Sequence, residues 1–315
     1  MSQRKRIVIA GGCYNEVENI EELYNRCCEM MKEFPQYDFE FLFSDNCSTD
    51  GTRDLIRKLA AKDKRVKAIF NAANYGHIRS PFYGMMQAKG DAVVSMCTDL
   101  QDPPEMIAQM IREWEKGAKV VIAVRKTTEC GIVMESIRRF YYALLQKSAQ
   151  EQNIISGFTG FGLYDRSFMD ALKLFNEPYP YFRGLVSEIG LKRVELPFVQ
   201  PQRKHGITKN NFFTLYDMAM TGFVNHTKMP LRLAVFAGVV IGLGSLIVAM
   251  VYLVLKLIYW ENFTFGMAPL MIGLFFFSAV QLIFIGIIGE YIGAIWTQVK
   301  NRPLVIEEER INSDE

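Results

Sequence analysis

Two stretches near the carboxyl end, residues 233–255 and 267–289, contain no charged residue. Nothing else in the chain restricts its fold as much. Each is long enough to cross a bilayer core, which needs about 20 apolar residues. The competing reading is a fully buried helix of a soluble protein, and two such runs together at one end favour the bilayer. Arg203, Lys204, Lys209, Lys228 and Arg232 precede the first run, and Lys300 and Arg302 follow the second. The short connection offers only Lys256 and Glu261. Basic flanks remain on the cytosolic side. The pattern therefore predicts a multi-pass hairpin in the inner, cytoplasmic membrane, with both termini cytosolic and a small outer loop. Gly238, Gly242 and Gly244 allow close helix contact, either within the hairpin or between copies in a homo-oligomer.

The preceding part of the chain alternates short apolar runs with helical periodicity. Strands are expected at residues 7–10, 39–43, 66–70, 92–96 and 120–124. Helices are expected at 15–31 and from about 53, where Ile20, Leu23 and Cys27, then Leu55, Ile56 and Leu59, fall on one side. This alternation predicts an α/β domain with a mostly parallel sheet covered on both faces. The chain divides into a cytosolic domain (1–200), a basic loop and juxtamembrane amphipathic segment (201–230), two membrane helices (231–299) and a cytosolic tail (300–315). Within 211–226, Thr214, Asp217, Thr221 and Asn225 form a polar stripe. That helix either lies in the membrane interface or packs on the domain.

Composition excludes several classes. A formal charge of +2 is too balanced for a nucleic-acid partner. None of the 6 cysteines forms a CxxC pair, and with 3 histidines a zinc site is not expected. The absence of a disulfide framework fits a reducing compartment. The apolar run after Arg4-Lys5-Arg6 is too short for a signal-peptide core.

Four places carry candidate chemistry. Residues 93–105 run from an apolar strand through Asp99, Gln101 and Asp102 into helix-start signals, where Asp102 and Glu105 read as caps. Such a strand end builds ligand crevices in α/β sheets. Asp99 and Gln101 are hard oxygen ligands that suit Mg²⁺ or Mn²⁺, an ion that keeps waters and borrows substrate phosphate oxygens. Asp45 ends the second strand. Its carboxylate can accept bonds from a nucleobase edge or ribose, or it can hold an Asx-turn in which Ser48 and Asp50 cap the next helix. Arg203, Gly206, Thr208 and Lys209 form a shaped anion site or a basic stop beside anionic lipid. Arg125, closing the fifth strand, is a further phosphate candidate or a surface arginine.

Cys13-Tyr14-Asn15-Glu16, residues 45–52, Asn74-Tyr75-Gly76-His77, Gly90-Asp91, residues 99–105 and Arg203-x-x-Gly206-x-Thr208-Lys209 occur in a fixed order. With the hairpin, that order resembles the family 2 inverting glycosyltransferases that load sugars onto polyprenyl phosphates, such as dolichol-phosphate mannose synthases and bactoprenol glucosyltransferases. The resemblance implies a GT-A, Rossmann-like domain, a nucleotide-diphosphate sugar donor (UDP-glucose as first candidate) and an undecaprenyl phosphate acceptor. It implies that Tyr14, Glu16 and Asp45 contact the nucleoside, with Asn74, Gly76, Gly206 and Thr208 also lining the substrates. Asp99 and Gln101 would hold the divalent metal, and Arg125, Arg203 and Lys209 the diphosphate and lipid phosphate.

Three departures stand out. Cys97 occupies the first position of the usual Asp-x-Asp, Asn46-Cys47 replaces Asp-Gly after Asp45, and Thr159-Gly160-Phe161-Gly162 replaces Gly-Asp-Phe-Arg. Cys97 and the Thr159–Gly162 segment motivate an alternative, a catalytically impaired membrane-anchored protein that binds nucleotide sugar or serves in assembly. A processive polysaccharide synthase is a further alternative, but its Gln-x-x-Arg-Trp signature is absent. A phosphate monoester with a second pKa of about 6 needs little deprotonation as a nucleophile, so loss of the acid weakens one mechanism rather than the activity.

Overall fold

The computed structural model describes residues 4–125, 155, 157–175, 177, 180–201, 228–259 and 267–313. The chain separates into two compact units. The first contains the amino-terminal domain together with the residues from Asn301 onward, and the second contains the two long apolar helices.

In the first unit an eight-stranded sheet runs in the order β7-β5-β6-β4-β1-β2-β3-β8. Its strands are β1 (Arg6–Cys13), β2 (Asp38–Asp45), β3 (Val66–Asn71), β4 (Ala92–Cys97), β5 (Val120–Arg125), β6 (Phe158–Asp165), β7 (Arg193–Phe198) and β8 (Glu307–Ile311). Its helices are α1 (Val17–Met31), α2 (Thr52–Lys62), α3 (Gly76–Gln87), α4 (Met106–Glu115), α5 (Arg166–Leu172) and α6 (Phe182–Glu188). The five strands expected from sequence are present; β3, β4 and β5 run one residue beyond their apolar runs, while β1 extends over Arg6–Cys13 and β2 over Asp38–Asp45. The sheet is more mixed than expected: β6 lies antiparallel to both β4 and β5, and β8 antiparallel to β3.

Alternation along the strands sends side chains into two cores, one on each face. Ile7, Ile9, Phe41, Phe43 and Val94 join Ile20, Leu23, Ile56, Ile107 and Ile111 from α1, α2 and α4. On the other face Val8, Leu42, Ile69 and Val93 join Phe82, Met85, Phe168 and Leu185 from α3, α5 and α6. Close approach of α3 depends on two glycines. A Cβ on Gly12 would lie 2.8 Å from Pro81, and one on Gly84 would lie 2.5 Å from the Ser44 Cβ.

Residues 300–315, expected as a tail, instead supply β8. It pairs with β3 from Ala68↔Ile311 to Asn71↔Glu307, with a bulge between Phe70 and Asn71. The polar sequence Glu307-Glu308-Glu309-Arg310 suits an edge strand lying beside basic helices. Arg57 of α2 reaches Glu309 at 2.6 Å, and Tyr83 of α3 donates to Glu307 at 2.7 Å.

The second unit comprises α7 (Met229–Ile258) and α8 (Met267–Lys300). Both are long and apolar enough to cross a membrane, with mean hydropathy 2.5 and no burial within the protein. They meet where Gly238 faces Phe284. Lys300 lies 3.9 Å from the ring centroid of Trp296, a cation and aromatic pair suited to a membrane–water boundary.

Candidate active site

Strands β1, β2, β3 and β4 are parallel, and β5 shares their direction because both β4 and β5 are antiparallel to β6. Their carboxyl ends therefore open on one edge. That edge receives Tyr14 and Glu16 after β1, Asp45 at the end of β2, Asn74 and Gly76 after β3, Asp99 and Gln101 after β4, and Arg125 at the end of β5. The chain turns one way from β1 to β2 and β3, then crosses to the other side of β1 for β4. Such a switch point opens a crevice between the loops that follow the two strands. Arg203, Gly206, Thr208 and Lys209, and the expected helix at 211–226, lie outside the described residues.

The loops are tied to one another. Asn15 N–H donates to Ser48 Oγ (2.8 Å), Glu16 N–H to Thr52 Oγ1 (2.9 Å), and Thr49 N–H to Asn15 Oδ1 (2.8 Å). Asn15 itself adopts φ 57, a conformation asparagine tolerates. Asn46 Nδ2 donates to Asn74 Oδ1 (2.7 Å) and Gly76 O (3.3 Å), while its Oδ1 accepts from Tyr75 N–H (2.8 Å). An ionised aspartate has no donor, which gives the Asn46 departure a structural reason. Asn74 Oδ1 is thus engaged inside the loop network, since it also accepts from Gly76 N–H at 2.9 Å.

Asp45 is fully buried. Its Oδ2 accepts from Arg53 Nε (2.6 Å) and from Ser48 N–H (3.0 Å), and the Cys13 thiol lies 3.9 Å from Oδ1. That backbone bond reaches Ser48, three residues on, so the carboxylate closes a wider turn than the Asx-turn considered from sequence, which would bond the residue two on. Burial works against the Arg53 charge, but the bonds to Asp45 and Glu308 hold its pKa above the ordinary value. The expected capping is realised differently. Ser48 serves the Asn15 N–H, whereas Asp50 accepts from Thr52 at the start of α2 and from Val17 at the start of α1.

After β4 the chain reverses tightly. Thr98 Oγ1 donates to Gly12 O (3.1 Å), and Gln101 N–H donates to Asp99 Oδ1 (3.2 Å). Leu100, buried between them, takes φ 61. Left-handed backbone at a non-glycine residue is strained and concentrates at functional turns. Asp102 and Glu105 are not helix caps, in contrast to the sequence expectation. Asp102 points inward and accepts the Cys97 N–H at 2.8 Å, and Glu105 pairs with Arg26 at 2.8 Å. With Pro103 and Pro104 intervening, α4 begins only at Met106 and has no side-chain cap. Burial pushes the Asp102 carboxyl up to about 7, with the Asp99 charge adding to the shift and Arg125 opposing it.

The donor set at this turn is one carboxylate and one carboxamide; no cluster of three acidic, histidine or cysteine ligands exists among the described residues. Hard oxygens in that number fit a Mg²⁺ or Mn²⁺ ion that completes its shell with water and phosphate oxygens. They do not fit a closed structural site.

The Thr159–Gly162 departure lies inside β6. Gly162 pairs with Ser95 and Ile122, and a Cβ there would meet Val121 O at 2.6 Å, so this backbone has no room for arginine. A cation that sequence reasoning missed is Arg183, in the first turn of α6. Its charge is felt at His77 and at Cys97, and His77 is held below its ordinary value by burial and then by Arg183. Its only sequence signal is a lone charge after Tyr181-Phe182.

A mixed sheet with these loops at its switch point is the GT-A architecture of nucleotide-sugar transferases. The glycosyl transferase family 2 model matches residues 11–172. An uncharacterized glycosyltransferase of Bacillus subtilis is 34% identical over 308 residues, 97% of this chain and 94% of its own. The SfII prophage-derived bactoprenol glucosyl transferase of Shigella flexneri is 31% identical over 295 residues, 93% of this chain and 94% of its own. A solved mannosyltransferase from Pyrobaculum calidifontis is 17% identical, covers 95% of this chain and 88% of its own, and has a TM-score of 0.49. The chain belongs to glycosyltransferase family 2. The resemblance to polyprenyl-phosphate glycosyltransferases is thereby borne out, and the chain is a glycosyltransferase.

Proposed function

We propose that this glycosyltransferase moves a hexose, with inversion, from a nucleotide sugar to a polyprenyl phosphate at the cytosolic face of the membrane. UDP-glucose and undecaprenyl phosphate are the first candidates. The observation that carries the reading is that the bactoprenol relative matches 93% of the chain, the α/β domain and the two apolar helices together. An acceptor with its phosphate at the surface and its tail in lipid calls for both parts.

In this reading Asp99 and Gln101 hold a divalent ion, which would neutralise the leaving diphosphate. The loops carrying Tyr14, Glu16, Asn74 and Gly76 form the nucleoside side, and Asp45 fixes them from beneath. Arg125, Arg203, Lys209 and the newly found Arg183 supply positive charge for the diphosphate and the acceptor phosphate. The acceptor already carries negative charge near neutral pH, so placement and charge neutralisation suffice without a dedicated base. Reconstituted protein given labelled UDP-glucose and undecaprenyl phosphate is expected to form a glycolipid, with activity lost on chelation and restored by Mg²⁺ or Mn²⁺. No sugar-lipid from any common donor, with either ion present, would overturn the reading.

The fold also supports the expected topology. Residues before α7 and the strand after α8 belong to one sheet, so two crossings must return the chain to its starting side. An alkaline phosphatase inserted at residues 260–266 is expected to be active, and a green fluorescent protein at the carboxyl end to fluoresce. Phosphatase activity at the carboxyl end would contradict this arrangement.

A further inference from the structure

Strand β8 does more than close the sheet. Arg53, the second residue of α2, directs its three guanidinium nitrogens at three strands. Nε donates to Asp45 Oδ2 at the end of β2 (2.6 Å), one terminal nitrogen to Asn71 O at the end of β3, and the other to Glu308 Oε2 of β8 (2.7 Å). The chain of bonds continues inward. Ser48 N–H donates to the same Asp45 oxygen, and Ser48 Oγ accepts from Asn15 N–H, between Tyr14 and Glu16. A second fastening lies on the neighbouring loop. Ala72 N–H donates to Ile306 O (2.9 Å), and Arg79 donates to Pro303 O (2.6 Å) while stacking 5.6 Å from the Tyr75 ring. Residues 303–308 thus hold both loops assigned to the nucleoside.

We propose that Glu308 is a positioning residue for the donor nucleotide: through Arg53 and Asp45 it sets the turn at residues 45–52 and the loop carrying Tyr14 and Glu16. The inference rests on the nucleotide-sugar reading above. An arginine fork is rigid and planar, so loss of one of its three partners lets the plane turn and moves the other two. Glu308 touches no substrate and acts only through Arg53.

A control is built into the same strand. Glu309 pairs with Arg57 at 2.6 Å, and Arg57 bonds otherwise to Asp54 rather than to the turn. Both variants remove one charge from an exposed β8 glutamate paired with an α2 arginine, so loss of the strand's pairing with α2 is common to both. In full-length protein with Mn²⁺, Glu308→Gln is expected to weaken UDP binding by about fivefold, the most a half-exposed ion pair provides. Glu309→Gln is expected to stay within about twofold of wild type at a similar melting temperature. Donor KM should rise in Glu308→Gln with kcat retained.

Equal UDP affinity in the two variants, or unchanged affinity in Glu308→Gln, overturns the positioning role while leaving the transferase reading intact. If wild-type protein binds none of UDP, GDP, CDP or dTDP, the transferase reading falls first, and the inference falls with it.

Discussion

Asp99→Asn is expected to lower kcat/KM by about a thousandfold, the scale seen when a main electrostatic contribution to a transition state is removed. The substitution keeps the side-chain shape and an oxygen able to accept the Gln101 N–H, so the turn around Leu100 should survive. What disappears is the negative charge of the one carboxylate assigned to the ion, with Asp102 turned inward onto the Cys97 amide. Among the described residues no further acid joins Asp99 in a cluster of three metal-ligating side chains. Sugar-lipid formation across a Mg²⁺ and Mn²⁺ titration, alongside a melting curve, separates the outcomes. Retained turnover removes Asp99 from the metal role, and a collapsed melting transition shows that the turn depends on the charge itself.

Asp45→Ala should cause the largest loss of stability. The carboxylate is fully buried, and the Arg53 side chain facing it is 17% exposed. Removing one partner of a buried pair leaves an uncompensated charge, at about 3–5 kcal/mol. Arg53 retains Glu308 and Asn71 O, which places the effect at the lower end, about 3 kcal/mol. For a chain of this size 1 kcal/mol corresponds to about 2–4 °C, so the melting temperature should fall by about 6–12 °C. Asp45→Asn, which keeps an acceptor, should fall less. An unchanged melting temperature with nucleotide affinity lost would show direct contact with the nucleoside and refute the burial argument.

The strands with continuous apolar runs were legible because a sheet buried on both faces demands them; β1, β2 and β4 are the clearest cases. The missed elements lack that pattern for physical reasons. β8 is an edge strand whose partners are Arg53 and Arg57, so it is acidic rather than alternating. β6 carries Gly162 where the neighbouring backbone leaves no space and Gly160 at a φ of 107, and α3 contains Pro81 and Gly84 where it lies against the sheet. Those glycines and the proline read as turns in the sequence. At the candidate site, the order of the loops and the carboxyl-end placement of Asp99 were legible. The partnerships were not. Nothing local says that Asn46 meets Asn74, that Asp102 turns to Cys97 instead of capping α4, or that the Arg183 charge is felt at His77.

The position of β8 also fixes an order of events during synthesis. Its pairing partner, β3, leaves the ribosome some 240 residues earlier, from Ala68 against Ile311. Until both apolar helices have been made, β3 is an unpaired edge, and open edges invite association with other chains. Arg53 and Arg57 wait through the same interval without Glu308 and Glu309. A fragment cut before the helices is therefore an arrested folding stage with β8 missing. Joining residues 301–313 back onto such a fragment supplies the strand that the two apolar helices otherwise deliver.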